Sequence, residues 1–183
     1  MRNVILITGP PRIGKTTVLR KTAEDLSSRG YKIGGMTSQE LKESGNRVGF
    51  KIENYISGKK GWLAHVHQPF GPRIGKYRVN LQDLDSIGVA AIMQALKDAD
   101  IVLIDEIDPM ELLSESFRNA VRKTVTSFKP LLGTIHFRTQ NRLISQLRVG
   151  ESSEIIEVTV SNRDQLPQQL VDKVLKFMRI RTV

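Results

Sequence analysis

The chain contains no cysteine, which rules out disulfides, thiolate nucleophiles and cysteine-ligated zinc and suits a reducing cytosol. Aromatic residues are scarce, with one Trp and three Tyr. Nowhere do they interleave with basic residues as a platform for stacking nucleic-acid bases requires. No apolar run is long enough to span a bilayer, and Met1-Arg2-Asn3 leads into a short apolar stretch rather than a secretion signal. A soluble, cytoplasmic protein without a membrane partner is expected. Acids are outnumbered, 19 Asp and Glu against 28 Lys and Arg, for a formal net charge of +9. Such a surplus attracts polyanions. Here it is scattered over Arg20-Lys21, Lys59-Lys60, Arg73 to Arg78, Arg118 to Lys123 and Lys173 to Arg181, the pattern of solvated surface. Repeats and low-complexity tracts are missing too. At 183 residues the chain has the size of one ordinary domain, and 1–183 is expected to fold as such.

The strongest pattern present is Gly9-Pro10-Pro11-Arg12-Ile13-Gly14-Lys15-Thr16, a G-x-x-x-x-G-K-[ST] loop. It follows the apolar run Val4-Ile5-Leu6-Ile7 and precedes Val18, Leu19, Ala23 and Leu26 at helical spacing, the strand-loop-helix setting in which such a loop binds phosphates. A triphosphate needs backbone N–H groups turned inward, and glycine at positions 9 and 14 leaves room for that turn. Lys15 supplies a mobile positive charge for the β- and γ-phosphates, and Thr16 a hydroxyl for the magnesium ion that bridges them. The N-terminus of the following helix adds free N–H groups and its positive dipole end.

Along the rest of the chain, Tyr31 to Thr37 reads as a strand in which Gly34-Gly35 permits another backbone to come close. Turn signals at Ser44-Gly45-Asn46 and Ser57 to Gly61, with Val48, Phe50 and Ile52 alternating, indicate an antiparallel insertion over 38–80. It is too short for a core of its own and is expected to extend one edge of the main sheet. His65 and His67 have a spacing a metal could use, but without a third ligand nearby they read as surface or packing residues. Gln68 to Arg78 is a basic loop, either a ligand clamp or a connector. A helix follows over Leu84 to Leu96, then the continuous apolar strand Ile101-Val102-Leu103-Ile104. Asp108 reads as the N-cap of a further helix, with Pro109 in its first turn and Glu111 three residues on, running to Lys129-Pro130. Leu131 to His136 is a strand, Arg138 to Arg148 a basic helix or lid, Ile155 to Val158 the last strand, and a helix starting near Asp164 closes the chain. This alternation indicates a three-layer α/β fold, its sheet mostly parallel, with the ligand at the carboxyl ends of the strands.

The acids that end the apolar strand complete a phosphate site. Asp105 is suited to hold magnesium, which prefers oxygen ligands, and Glu106, beside it, to orient and deprotonate an attacking water. Since a kinase must instead keep water out, Glu106 favours hydrolysis. A nucleoside or nucleotide kinase with Arg138 to Arg148 as its lid remains the alternative, followed by a nucleic-acid-dependent ATPase drawing on the basic charge. Thr134 and His136 are positioned to sense the γ-phosphate, and Arg12, Arg138 or Arg142 could each offset charge in the transition state.

Gly9 to Thr17, Gly75-Lys76-Tyr77-Arg78-Val79-Asn80, Ile104-Asp105-Glu106-Ile107-Asp108-Pro109-Met110-Glu111-Leu112 and Asn162-Arg163-Asp164 together resemble the THEP-type nucleoside-triphosphatases, over nearly the whole chain. That family includes archaeal and thermophilic members and the human cancer-related nucleoside-triphosphatase. The resemblance implies a RecA-like P-loop fold that hydrolyses ATP, GTP, CTP and UTP with loose base preference. It implies nucleotide binding along Gly9, Pro10, Pro11, Arg12, Ile13, Gly14, Lys15, Thr16 and Thr17, the Walker A segment. It implies the same for the Walker B segment Ile101, Val102, Leu103, Ile104, Asp105, Glu106, Ile107 and Asp108, of which only the polar end is expected to touch the ligand. Catalysis would fall to Glu106 and Lys15, Mg2+ to Thr16 and Asp105, and a base or ribose contact to Asn162 and Arg163. The family pattern has glycine where Asp108 stands, a departure that an aspartate N-cap would accommodate.

Overall fold

The computed structural model describes residues 3–137 and 141–180. Strand β1 (Val4–Thr8) leads through the glycine-rich loop into α1 (Lys15–Ser28). Then come β2 (Ile33–Glu43), β3 (Asn46–Asn54), β4 (Lys60–His65), β5 (Arg73–Ile74) and β6 (Tyr77–Val79). A single turn α2 (Leu81–Asp83) and a π-helical stretch, Leu84–Val89, run into α3 (Ala90–Asp98). After β7 (Ile101–Ile107) and a 3-10 turn at Glu111–Leu113, the chain forms α4 (Glu115–Thr126), β8 (Leu131–Ile135), α5 (Arg142–Val149), β9 (Ser153–Glu157) and α6 (Leu166–Ile180). No helix among the described residues is long and apolar enough to cross a membrane.

All these strands join one sheet in the order β5-β6-β4-β3-β2-β7-β8-β1-β9. From β2 to β9 every pairing is parallel, and β8 separates the loop-bearing β1 from the acid-bearing β7. Strand periodicity sends alternate side chains to opposite faces. Val4 and Leu6 of β1, with Val102 and Ile104 of β7, meet Ile92 of α3, Phe117 of α4 and Ile144 of α5. Ile5 and Ile7, with Ile101 and Leu103, meet Leu19 of α1 and Leu170 of α6. Continuous apolar runs in β1 and β7 are therefore the signature of strands covered on both sides. The α/β expectation holds as three layers, with helices on each face of a mostly parallel sheet.

The antiparallel insertion is also observed, and it extends the sheet beyond β2. That strand continues past Thr37: Ile33 to Thr37 pair with β7, while Met36 to Glu43 pair with β3. The insertion has no separate core. Ile52, Leu63, Tyr77 and Val79 pack in the same cluster as α3 and α4. His67 N–H donates to His65 Nδ1 (3.1 Å), and the His65 ring meets Trp62 edge-on at 4.8 Å.

Three local expectations change. Asp108 is not a helix N-cap. Leu112 N–H bonds to the Asp108 carbonyl (3.0 Å) in a tight turn that buries Met110 and Leu112. The helix starts only at Ser114, whose hydroxyl accepts from Phe117 N–H at 3.0 Å. Such a cap is worth about 1 kcal/mol. The helix ends at Thr126 rather than Lys129, because the Asn3 amide donates to the carbonyls of Ser127 (2.9 Å) and Lys129 (3.3 Å) and holds that segment off the helix. Within the basic segment expected as helix or lid, α5 is a docked helix with Leu143, Ile144 and Leu147 buried. Arg138, its expected first residue, lies outside the described residues.

Gly35 carries the close approach that the double glycine signalled. It stands opposite Leu103 with φ of 132°, and a Cβ there would lie 1.9 Å from the Leu103 carbonyl oxygen. Gly35→Ala combines overpacking with a strained φ and should cost about 3 kcal/mol. Thermal unfolding should fall by about 10 °C for a chain of this size. A melting temperature unchanged to within about 1 °C would refute the close packing of β2 on β7.

Candidate functional site

Loop geometry follows from the strand it leaves. At Gly9 the backbone turns with φ of 148°, and a Cβ would come within 2.9 Å of the Val158 carbonyl oxygen. Helix α1 then begins at Lys15 behind Gly14, with no side-chain cap and no acid in its first turn. By contrast Ser114 and Asn141 cap α4 and α5. The first N–H groups of α1 and its positive dipole end are thus left for an anion. Lys15 bends back over the loop, its Nζ donating to the carbonyls of Gly9 (3.1 Å) and Pro10 (3.4 Å). Arg12, at the exposed crest, has φ of 65°, a sparsely populated conformation that concentrates at ligand sites.

The acid-bearing strand ends beside this loop. Ile101 to Ile104 are at most 1% exposed inside the sheet, so only Asp105, Glu106 and Asp108 of that segment reach the cavity. The register between β7 and β8 shifts between Ile104 and Ile107, which takes the two acids out of the pairing with β8, while Asp105 still pairs with Thr37 of β2. Asp105 is 3% exposed, and its Oδ1 accepts from the Thr134 hydroxyl at 2.5 Å. The Thr16 hydroxyl also stands near enough to favour its charged form, which brings the two proposed magnesium donors together. Burial holds the Asp105 carboxyl above the usual range, against the two threonine hydroxyls and the Lys15 charge. A carboxylate short of positive charge beside a threonine hydroxyl fits a magnesium ion delivered by phosphates. Among the described residues no three His, Cys, Asp or Glu are grouped to hold an ion by themselves.

Three more carboxyls face the same space. Glu106 is pushed up to about 7, first by burial and then by the charges of Asp108 and Asp105, with Lys15 and His136 opposing. Asp108 rises to about 6 through burial, against its bond with Glu106 and the charges of Lys15 and Arg47. Glu111 is 1% exposed, and burial with the same two neighbouring acids raises it well above the carboxylate range. One oxygen each of Asp108 and Glu111 has no protein partner.

The insertion closes the other side. The cavity, about 630 Å³, runs from Gly14, Lys15, Thr16 and Thr17 to Ser38 and Glu40 of β2, Arg47 and Phe50 of β3 and Tyr77 of β6. From the basic loop it is Ile74, Gly75 and Tyr77 that line the wall; Arg73, Lys76 and Arg78 do not.

Sequence-predicted residues are therefore brought together from the loop, β7 and β8, His136 included. Arg142 lies at the exposed start of α5, away from the cavity lining. Asn162 uses its amide on its own loop, accepting from Thr159 N–H and donating to the Glu157 carbonyl, both at 2.8 Å. The Arg163 stem passes beside Gly14, within 4.0 Å of where a Cβ would sit. Sequence reasoning missed Arg47, Glu40, Phe50 and Glu111 as cavity residues. Phe50 was recognised only as an alternating strand residue, and nothing in its spacing from Tyr77 announces their contact.

Comparison with known proteins agrees with this geometry. A protein-family model described as NTPase matches residues 4–171. The nucleoside-triphosphatase THEP1 of Thermofilum pendens is 49% identical over 175 residues, covering 94% of this chain and 96% of its own. That of Methanosarcina acetivorans is 44% identical over 173 residues, covering 94% and 97%. The crystal structure of THEP1 from the hyperthermophile Aquifex aeolicus matches with a TM-score of 0.83 at 29% identity, over 93% of this chain and 98% of that one. The solution structure of a human cancer-related nucleoside triphosphatase matches with a TM-score of 0.78 at 31% identity, over 95% and 97%. The α/β sheet with the glycine-rich loop at its carboxyl edge is the fold of those proteins, and the chain belongs to the NTPase family that includes the THEP1 nucleoside-triphosphatases.

Proposed function

We propose that this protein hydrolyses nucleoside triphosphates, ATP, GTP, CTP and UTP among them, to the diphosphate and phosphate with magnesium. The observation that carries the reading is Glu106, a half-buried carboxyl with a raised proton affinity, at one cavity with Lys15 and Asp105. A base must hold the water proton as the bond to phosphorus forms, and a carboxyl near neutrality does so better than an exposed one. Lys15 and the N–H groups of the Gly9 to Thr17 segment, which Pro10 and Pro11 lack, would bind the β- and γ-phosphates. Thr16 and Asp105 would hold magnesium, which supplies positive charge to the β- and γ-oxygens when bound. Thr134 keeps the Asp105 carboxylate oriented. Arg163, beside Gly14, is the better placed of the Asn162-Arg163 pair for a ribose or base contact. The α1 end and Lys15 recognise phosphates, which every nucleoside triphosphate carries, so broad base use follows. Cytoplasmic residence belongs to the same reading, since the substrates are held there.

Phosphate release across a panel of nucleoside triphosphates, with and without acceptor nucleosides, tests the activity. Free phosphate should appear with each triphosphate; phosphate transferred to an added nucleoside would overturn hydrolysis in favour of a kinase. Glu106→Gln should lower kcat by about 10²- to 10⁴-fold, with diphosphate affinity within about twofold of the parent. Retained turnover would remove Glu106 as the base. Thr134→Val should raise the magnesium concentration for half-maximal turnover by about 10- to 100-fold, as loss of an outer partner does at other metal sites. An unchanged magnesium titration would show that Asp105 needs no such support.

A further inference from the structure

We propose that Arg47, carried by the insertion on β3, is the cation that meets the γ-phosphate in the transition state. This rests on the hydrolytic reading above and names a catalytic residue for it.

Charge makes the first demand. Asp105, Glu106, Asp108 and Glu111 line the cavity beside the phosphate loop, and among the described residues Lys15 and the exposed Arg12 oppose them from the loop, with His136 at the end of β8. A triphosphate adds more negative charge than magnesium and Lys15 together remove. As the reaction proceeds, the water oxygen bonds to the γ-phosphorus, Glu106 takes the water proton, and the bond to the β–γ bridging oxygen breaks with its electrons staying on the diphosphate. Charge that gathers on the γ-oxygens and the bridging oxygen calls for a donor from the side away from the loop.

Arg47 is built for that place. It lines the same cavity as Lys15, and the charges of both reach Asp108. Its guanidinium carbon lies 5.3 Å from the Phe50 ring centre and 5.7 Å from that of Tyr77. Nε donates to the Tyr77 hydroxyl at 2.9 Å, and that hydroxyl donates to the Arg47 carbonyl at 3.3 Å. Two aromatic faces and a hydrogen bond from Nε thus orient the fork without engaging its Nη groups. One Nη donates to Glu40 at 3.2 Å, an ion pair in which the side chains are 47% and 32% exposed. Water screens such a pair, so a phosphate oxygen can replace Glu40 at small cost. Tyr77 is the positioning residue.

Other arginines fit less well. Arg142 is not in the cavity lining. Arg12 stands on the phosphate loop itself, where it would hold ground state and transition state alike and so would not lower the barrier.

Arg47→Ala and Arg47→Lys separate charge from the planar fork. Both should lower kcat by about 10³-fold, the lower end of what arginine fingers supply. Nucleoside diphosphate affinity should stay within about twofold, and binding of diphosphate with aluminium fluoride, which mimics the transferring phosphoryl group, should be lost. Tyr77→Phe should lower kcat by about tenfold with diphosphate affinity unchanged, since the stack remains but the hydrogen bond goes. If both Arg47 variants turned over within about threefold of the parent, or lost diphosphate affinity in proportion to kcat, Arg47 would not be the transition-state cation. Absence of hydrolysis by the parent protein would instead overturn the hydrolytic reading itself.

Discussion

The buried carboxylate of Asp105 is the fixed point of this molecule. Solvent hardly reaches it, and threonines of two other elements attend it: Thr134 on β8 donates to it, and the Thr16 hydroxyl on α1 stands near enough to favour its charge. A charge in such a place is tolerated only when it is partnered, so the three elements hold one another in register. The parallel pairing of β7 with β8 and of β8 with β1 sets the distance between the acid and the loop. Displacement of any of these strands would open the carboxylate and the phosphate loop together. Stability and chemistry therefore draw on the same contacts at the carboxyl edge of the sheet.

Around that point the site is lopsided in charge. Four acids line it, all pushed toward the neutral form by burial, and Glu106 and Glu111 further by the charges of neighbouring acids. Positive charge comes from the loop and, across the cavity, from the insertion. The insertion can do this because it is not hinged to the sheet but continuous with it. β2 pairs with the central strand β7 over its first half and with β3 over its second. Arg47 thereby stands on an extension of the same rigid surface that carries Asp105, which limits the entropy lost in bringing opposite charges to one ligand.

Sequence made the phosphate loop and the acid strand legible because both are local. Gly9 to Thr16 is one turn between a strand and a helix, and Asp105-Glu106 directly follow a run whose hydrophobicity places it inside the sheet. The edge insertion was legible for a similar reason, as turn residues and period-two alternation come close together. Arg47 was not, since its partner Glu40 stands on the neighbouring strand β2 and Tyr77 on β6, beyond β4, and only the folded sheet brings the three together. Asp108 misled because a residue type suited to capping stands before a proline. Tertiary burial of Met110 and Leu112 outweighed that propensity and moved the helix start to Ser114. The amide of Asn162 fastens its own turn, a role that depends on where the side chain points and that sequence spacing does not announce.

The central claim is that water, held by Glu106, attacks the γ-phosphorus of a triphosphate seated on Gly9 to Thr17. Single-turnover hydrolysis in oxygen-18 water, with both products examined by mass spectrometry, tests it most directly. The released phosphate should carry one labelled oxygen from the solvent and the diphosphate none. Label in the diphosphate, or phosphate formed without label, would contradict attack by water at that atom.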